Sequence, residues 1–503
     1  MGIIRKQSLQ SSIFIYIGFA IGALNNLILF PNEKYFTLAE FGLTKVLVDV
    51  SLLIAMLCTL GTYPAVVKFY PFYQSYLPKK KNDFPFLTLV TVSIGCLVFS
   101  LTMPLFKDLI VRKYGERSPL FVQYFNLVYP LTISMAFLYL FEAYSWAERK
   151  TVLPAIAREL MVRVLITALI LCLMLGLLNF HQFINLYSLV YFPPVLFLLY
   201  NLIKNGELNF HPAISTVTKR LKKRIIAFSL FLFSGQALNI LARTIDSIII
   251  TGKSPGGLQD TGIFTIATYF IALMEVPMRG MTGIAFAILA QAWKDKNLVK
   301  VLNIYKKTAL NLLIAGLGII GILLLSMPGV IAFLGDRFEP MLQVVLILGL
   351  SKLIDLGTGL NSHLLLTSKH WKIEFFTNIF LVMMAGLSNY VLVSRYGIVG
   401  SAVATLMSFV VYNTIRFLLI WKLFKMQPFG KGNLIILVAG VCCFFVAKLI
   451  PAIHNVFVDC FLRVALFVIL YSFLVIKLRV SEDINSIFYA ALQRFTGFFS
   501  PRE

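Results

Sequence analysis

Apolar stretches of about 18–25 residues recur from one end of this 503-residue sequence to the other, each long enough to cross a ~30 Å hydrocarbon core as a helix. Lipid offers no water to backbone N–H and C=O groups, so a chain that crosses repeatedly must close those hydrogen bonds within each helix or within a sealed barrel. Runs of this length select helices. With 59% hydrophobic and only 13% charged residues, the sequence has too little polar material to coat soluble domains of this size. We therefore expect an all-α polytopic membrane protein with about fourteen spans, near residues 10–30, 41–66, 86–106, 121–145, 153–178, 184–204, 225–250, 261–288, 303–334, 341–366, 373–393, 399–420, 433–451 and 460–478. Pro31-Asn32, Leu77-Pro78, Ser254-Pro255-Gly256-Gly257 and Gly335-Asp336 punctuate the breaks. The first stretch, Ser11 to Pro31, lacks a small-residue cleavage site and reads as a span rather than a signal peptide.

The net charge of +23 invites a nucleic-acid reading, but the basic residues fall in short clusters between apolar runs, which points to membrane topology instead. Alternate connections hold Lys79-Lys80-Lys81, Arg149-Lys150, the Lys219 to Arg224 cluster, Lys294 to Lys307, Lys369 with Lys372, and Lys422 to Lys431. The intervening ones hold few, among them Lys34, Arg117 and Lys253. That bias places both termini in the cytoplasm of a multi-pass protein of the bacterial inner membrane, with anionic lipids as neighbours and no nucleic-acid partner. The six cysteines sit in or beside apolar runs without ligand spacing, and the five histidines form no cluster, so neither a metal site nor a cofactor is expected. No phosphate-binding loop and no large extramembrane domain appears, so the chain reads as neither an ATP-driven pump nor an enzyme.

Two segments repeat at one offset. Leu38-Ala39-Glu40-Phe41-Gly42-Leu43 opens the second helix, and Leu258-Gln259-Asp260-Thr261-Gly262-Ile263 opens the eighth, 220 residues on. The basic pair Arg149-Lys150 and Lys369-His370 share the offset. Six helices separate the copies, an even number, so the halves should be related by an axis along the membrane normal. The expected plan is a six-helix repeat over 1–204, a basic linker over 205–224, a second repeat over 225–425, two further helices over 426–480 and a cytoplasmic tail over 481–503.

This plan, with Ala39-Glu40-Phe41-Gly42, Gln259-Asp260-Thr261-Gly262-Ile263-Phe264, the small-residue stretch Tyr396-Gly397-Ile398-Val399-Gly400-Ser401-Ala402 and the opening Gly2-Ile3-Ile4-Arg5-Lys6, resembles the multidrug/oligosaccharidyl-lipid/polysaccharide exporter superfamily. Within it the chain looks like the bacterial polysaccharide-biosynthesis (O-antigen type) flippases. The resemblance implies a V-shaped architecture and alternating-access movement of an undecaprenyl-diphosphate-linked oligosaccharide for lipopolysaccharide, capsule or exopolysaccharide. It also implies coupling to H⁺ or Na⁺, and a polymerase and glycosyltransferases of the same pathway as partners. A small-molecule/cation antiporter and a lipid II flippase of the same superfamily are the competing readings. A membrane-bound polymerase or ligase fits less well, because it usually needs a large outside loop.

Ionisable groups within spans cost about 2.5–3.5 kcal/mol each on insertion scales, so each requires a reason. Lys45 with Asp49, Arg243 with Asp246, Glu275 with Arg279 and Lys352 with Asp355 are acid–base pairs three or four residues apart, on one helical face. They either neutralise one another for packing or line a water-filled cavity. Arg416 stands alone in the twelfth helix. Read functionally, Arg243, Arg279, Lys352, Lys45 and Arg416 would bind the diphosphate, and Asp49, Asp355, Glu275 and Asp246 are the ion-coupling candidates, Asp49 first. Glu142, Arg158, Glu159 and Arg163 suggest a structural network, and Asn25 and Asn26 suggest packing between helices. Cysteines introduced at Lys80 or Lys222 should be shielded from a membrane-impermeant thiol reagent in intact cells, whereas Lys253→Cys should label; labelling at 222 would invert the orientation.

Overall fold

The computed structural model describes residues 2–208 and 211–486, and among these it is helical throughout, with no strand. Eleven helices are long and apolar enough to cross a membrane. One of them, Trp371–Phe424, is bent back on itself at Gly397 and supplies two spans. The helix Gly2–Leu24, continued by a π-helical turn over Asn25–Leu29, and the helix Val162–Met174, preceded by one over Ile156–Met161, bring the described residues to fourteen spans. In order, the others are Leu38–Cys58, Phe84–Tyr114, Phe125–Ala147, Phe180–Lys204, Thr216–Lys253, Leu258–Arg279, Leu298–Leu334, Asp336–Gly357, Lys431–Lys448 and Val456–Lys477. The expected tail beyond Ser486, with Arg494 and Arg502, lies outside the described residues. Large apolar side chains are exposed along the helices, Leu101, Leu175 and Phe461 at around 70%, as contact with acyl chains requires.

The expected second helix, 41–66, is two. The second span ends at Cys58, and a left-handed turn at Leu60 and Gly61 precedes a separate helix, Thr62–Tyr76. The start of the second span is set by a capping box: Thr37 Oγ1 accepts from Glu40 N–H, and the Glu40 carboxylate accepts from Thr37 N–H. The eighth span tightens to a 3₁₀ turn at Leu273–Glu275. Pro277 supplies the reason, since it has no N–H for the carbonyl of Leu273.

By packing, the chain forms two units, 1–266 and 267–503. The division falls later in the sequence than the basic linker at 205–224, because the seventh span packs on the second span and on Thr62–Tyr76 of the first unit. Both ends of that span are pinned there. At its start, the buried Asp83 carboxylate accepts from Ser215 N–H (2.8 Å) and Thr218 Oγ1 (2.7 Å), an anion at a helix N-terminus. At its far end, Ser118 Oγ donates to Thr251 O and Arg117 to Lys253 O. Beside this end the two copies of the repeated segment meet. A Cβ on Gly42 would lie 1.9 Å from Leu258 O, and a Cβ on Gly262 would lie 2.8 Å from Leu38 O. The contacts exchange residues 220 apart, so the crossing is reciprocal.

In the second unit the ninth span, Leu298–Leu334, is the hub. The last two spans pack on it, with Phe467 and Tyr471 stacked and the Tyr471 hydroxyl donating to Ile314 O at 2.9 Å. The eleventh and twelfth spans form an antiparallel hairpin. Gly400 packs against Leu392 near the turn, and three polar contacts step outward symmetrically from residue 395: Ser401 Oγ donating to Asn389 Oδ1 (2.7 Å), Tyr412 donating to Asn378 (2.7 Å), and Arg416 paired with Glu374. The turn is made at Gly397, φ +58° and ψ −138°, a conformation closed to residues bearing a Cβ.

The reciprocal crossing tolerates no side chain. Gly42→Val should lower the unfolding free energy by about 1–3 kcal/mol, the usual cost of overpacking, and Gly262→Val by less. Both are read as melting temperatures of the detergent-purified protein.

Candidate functional site

In the first unit, helical spacing brings Lys45 and Asp49 onto one face of the second span, where Lys45 Nζ donates to Asp49 Oδ1 at 2.7 Å. The seventh span adds Ser247, whose hydroxyl donates to the other carboxylate oxygen. Asp49 is buried and the Lys45 side chain one-third exposed, so the pair joins the helix interface to open space. One turn from Ser247, Arg243 is exposed and takes no carboxylate partner among the described residues, while Asp246 is half-buried. A second polar layer joins spans four and five. Arg158 reaches Glu142 at 3.1 Å and lies over the Tyr139 ring, and Arg163 holds Glu159 at 2.7 Å. Asn25 receives a hydrogen bond from Thr167 and donates to Arg163 O, tying the first span to the fifth. Asn26 instead donates to Gly22 O of its own helix.

In the second unit four charges form one chain. Arg279 Nη2 donates to Glu275 Oε2 (2.9 Å), Lys352 lies 3.0 Å from Glu275 Oε1, and Lys352 donates to Asp355 Oδ2 at 3.0 Å. Two acids and two bases cancel, and Lys352 is the hinge of the arrangement because it serves both carboxylates. Arg279 closes one end with its side chain 59% exposed, leaving guanidinium N–H groups for another anion.

Arg416, expected as a solitary base, is not solitary. It is 2% exposed and ion-paired with Glu374 of the neighbouring span. Its guanidinium also lies 3.9 Å from the Tyr412 ring centroid. Ser362 donates to the same carboxylate (2.6 Å), and Asn361 donates to Asn413 and Thr358. An unpaired guanidinium at this depth would carry the full insertion cost, and Glu374 removes it. The structure thus brings Lys45 to Asp49, and Glu275, Arg279, Lys352 and Asp355 to one another, each within its own unit. It sets Arg416 in a separate buried network. Ser247, Glu374, Asn361 and Asn413 were not anticipated. Polar residues inside apolar runs were the available signal, but their partners lie on other helices.

Removing one member of a buried ion pair leaves the other uncompensated, at about 3–5 kcal/mol. Arg416→Ala should therefore lower the melting temperature more than Arg279→Ala, whose partner Glu275 keeps Lys352. Equal losses would contradict the difference in burial.

No family model matches this sequence, and no curated protein matches it. Solved structures do. The lipid II flippase MurJ in an inward closed conformation superposes with TM-score 0.71 at 13% identity, covering 93% of this chain and 99% of that one. An inward-facing multidrug resistance MATE transporter of the MOP superfamily gives 0.62 at 17% identity over 77% of this chain and 93% of that one. A MOP superfamily transporter from Pyrococcus furiosus, described as having a binding pocket of reversed polarity, gives 0.57 at 15% identity over 84% of this chain and 96% of that one. The chain is a multi-pass helical membrane protein with the fold that these flippases and MATE transporters share.

Proposed function

We propose that this protein is a flippase that carries an oligosaccharide linked to undecaprenyl diphosphate across the bacterial inner membrane by alternating access, coupled to H⁺ or Na⁺. The observation that carries the reading is the extent of the structural likeness. Superposition on the lipid-carrier flippase runs over 93% of this chain, whereas the two transporters compared above match over 77% and 84%.

The site chemistry supports an anionic substrate. Arg243 is exposed with no carboxylate partner among the described residues, and Arg279 keeps an open guanidinium face, so each can meet diphosphate oxygens. O-antigen, capsule and exopolysaccharide units are the substrates we favour, with the pathway's polymerase and glycosyltransferases as partners. Lipid II is the second reading, favoured by the identity of the flippase neighbour; it uses the same diphosphate carrier.

Asp49 is the coupling group in this scheme. Its carboxylate is held by one ammonium and one hydroxyl drawn from two helices. Separation of the second and seventh spans would remove Ser247 and change the affinity of Asp49 for a cation, and an ion shifts a conformational equilibrium only through such a difference. In proteoliposomes loaded with an undecaprenyl-diphosphate oligosaccharide, the parent should flip faster under an imposed H⁺ or Na⁺ gradient. Asp49→Asn should flip at a rate indifferent to it. A variant that still responds like the parent would pass the role to Asp355. Absence of flipping by the parent, for this substrate and for lipid II, would end the reading.

A further inference from the structure

Among the described residues Lys45, Arg158, Arg163, Arg279, Lys352 and Arg416 each meet a carboxylate, whereas Lys68 and Arg224, both exposed, do not and stand side by side. In the first unit, at the end of the helices where the charge bias places the cytoplasm, a cavity of about 450 Å³ lies between Thr62–Tyr76 and the first turns of the seventh span. Lys68 and Arg224 line it, above Phe69, Phe72 and Phe228. The Lys68 ammonium stands 3.6 Å from the Phe228 ring centroid and 5.5 Å from that of Phe69, and the two rings meet edge to face at 5.5 Å. Neither Lys68 nor Arg224 has an ion-pair partner among the described residues. The aromatic faces therefore hold the ammonium in place without neutralising it. Phe72 is half exposed, so the cavity opens at the surface rather than into the helix packing.

Two uncompensated cations beside three aromatic rings ask for a ligand with two properties: at least two negative charges close together, and an apolar body to cover the rings. A soluble phosphate meets the first alone, and a fatty alcohol the second alone. A phospholipid with one phosphate meets both but leaves one cation unmatched. The walls cannot easily part to suit a different ligand, since Asp83 ties the start of the seventh span through Ser215 and Thr218, and Thr218 also bonds Tyr73 at 2.7 Å.

We infer that this cavity is a docking site for a prenyl diphosphate head group, which captures the lipid carrier on the cytoplasmic side before it reaches the transport site. The inference rests on the flippase reading above. Lys68 and Arg224 share the four to five non-bridging diphosphate oxygens, and the first prenyl units lie on Phe69, Phe72 and Phe228. The charge count makes the diphosphate bind more tightly than a monophosphate lipid.

The test uses the full-length protein in phosphatidylcholine nanodiscs and radiolabelled undecaprenyl diphosphate without sugar. The Lys68→Ala/Arg224→Ala double variant should bind about tenfold more weakly than the parent, the scale expected for losing charge-assisted contacts. Lys223→Ala, which removes an equal type of charge beside the cavity but does not line it, should change binding less than about twofold. Lys68→Gln/Arg224→Gln, with an unchanged melting temperature, guards against misfolding. Inorganic diphosphate and phosphatidylglycerol should each compete only at large excess. Undiminished binding by both double variants, or displacement by phosphatidylglycerol at equal concentration, overturns the site. If the parent flips lipid-linked oligosaccharide while the double variants bind as it does, the site fails and the flippase reading stands. If the parent neither binds nor flips, both fail.

Discussion

Hydrocarbon solvates neither a peptide group nor a charge, and this constraint explains more of the molecule than any single contact. It requires helices, since each backbone N–H must find its carbonyl within the same segment. It also requires that breaks in those helices be covered. The tight turn before Pro277 and the π-helical turn over Ile156–Met161 both occur where another helix packs closely. Buried charge follows the same rule: Asp49 has Lys45, Arg416 has Glu374, and Lys352 is shared between Glu275 and Asp355.

Against that background of cancellation, position rather than number makes a cation informative. With a formal charge of +23, the chain has bases to spare, and most serve at the ends of spans. Lys68, Arg224 and Arg243 differ because each leaves its charge open to a ligand. A paired base contributes to packing, and an unpaired one near an aromatic surface can contribute to recognition. The distinction is one of local compensation, which net charge does not report.

The number and order of the spans were legible from hydropathy alone, because a span is a local property of some twenty residues. The pairs Lys45–Asp49, Glu275–Arg279 and Lys352–Asp355 were legible for the same reason, since helical periodicity puts both partners on one face. What could not be read was whatever depends on a second helix. Ser247 is 198 residues from Asp49 and Glu374 is 42 from Arg416, so neither partnership follows from spacing. The join between Lys352 and Glu275 is of the same kind. The break at Leu60 and Gly61 escaped notice because the flanking residues remain apolar, and hydropathy does not register a change of direction. The expectation for Arg243 and Asp246 failed in the opposite sense. Their spacing allows a pair, but Arg243 turns to open space.

The hairpin of the eleventh and twelfth spans has a consequence for how the chain enters the membrane. Its turn is a single non-helical glycine, so there is no connecting segment in which the first helix could be threaded and released before the second emerges. Its polar contacts are also locked in register: the pairings of Ser401 with Asn389, Tyr412 with Asn378 and Arg416 with Glu374 all count back to residue 395. The guanidinium of Arg416 therefore meets its carboxylate as soon as the two helices of the hairpin lie side by side. The two spans are best understood as one unit, in which the guanidinium buried at depth is neutralised within the pair rather than left on a lone helix.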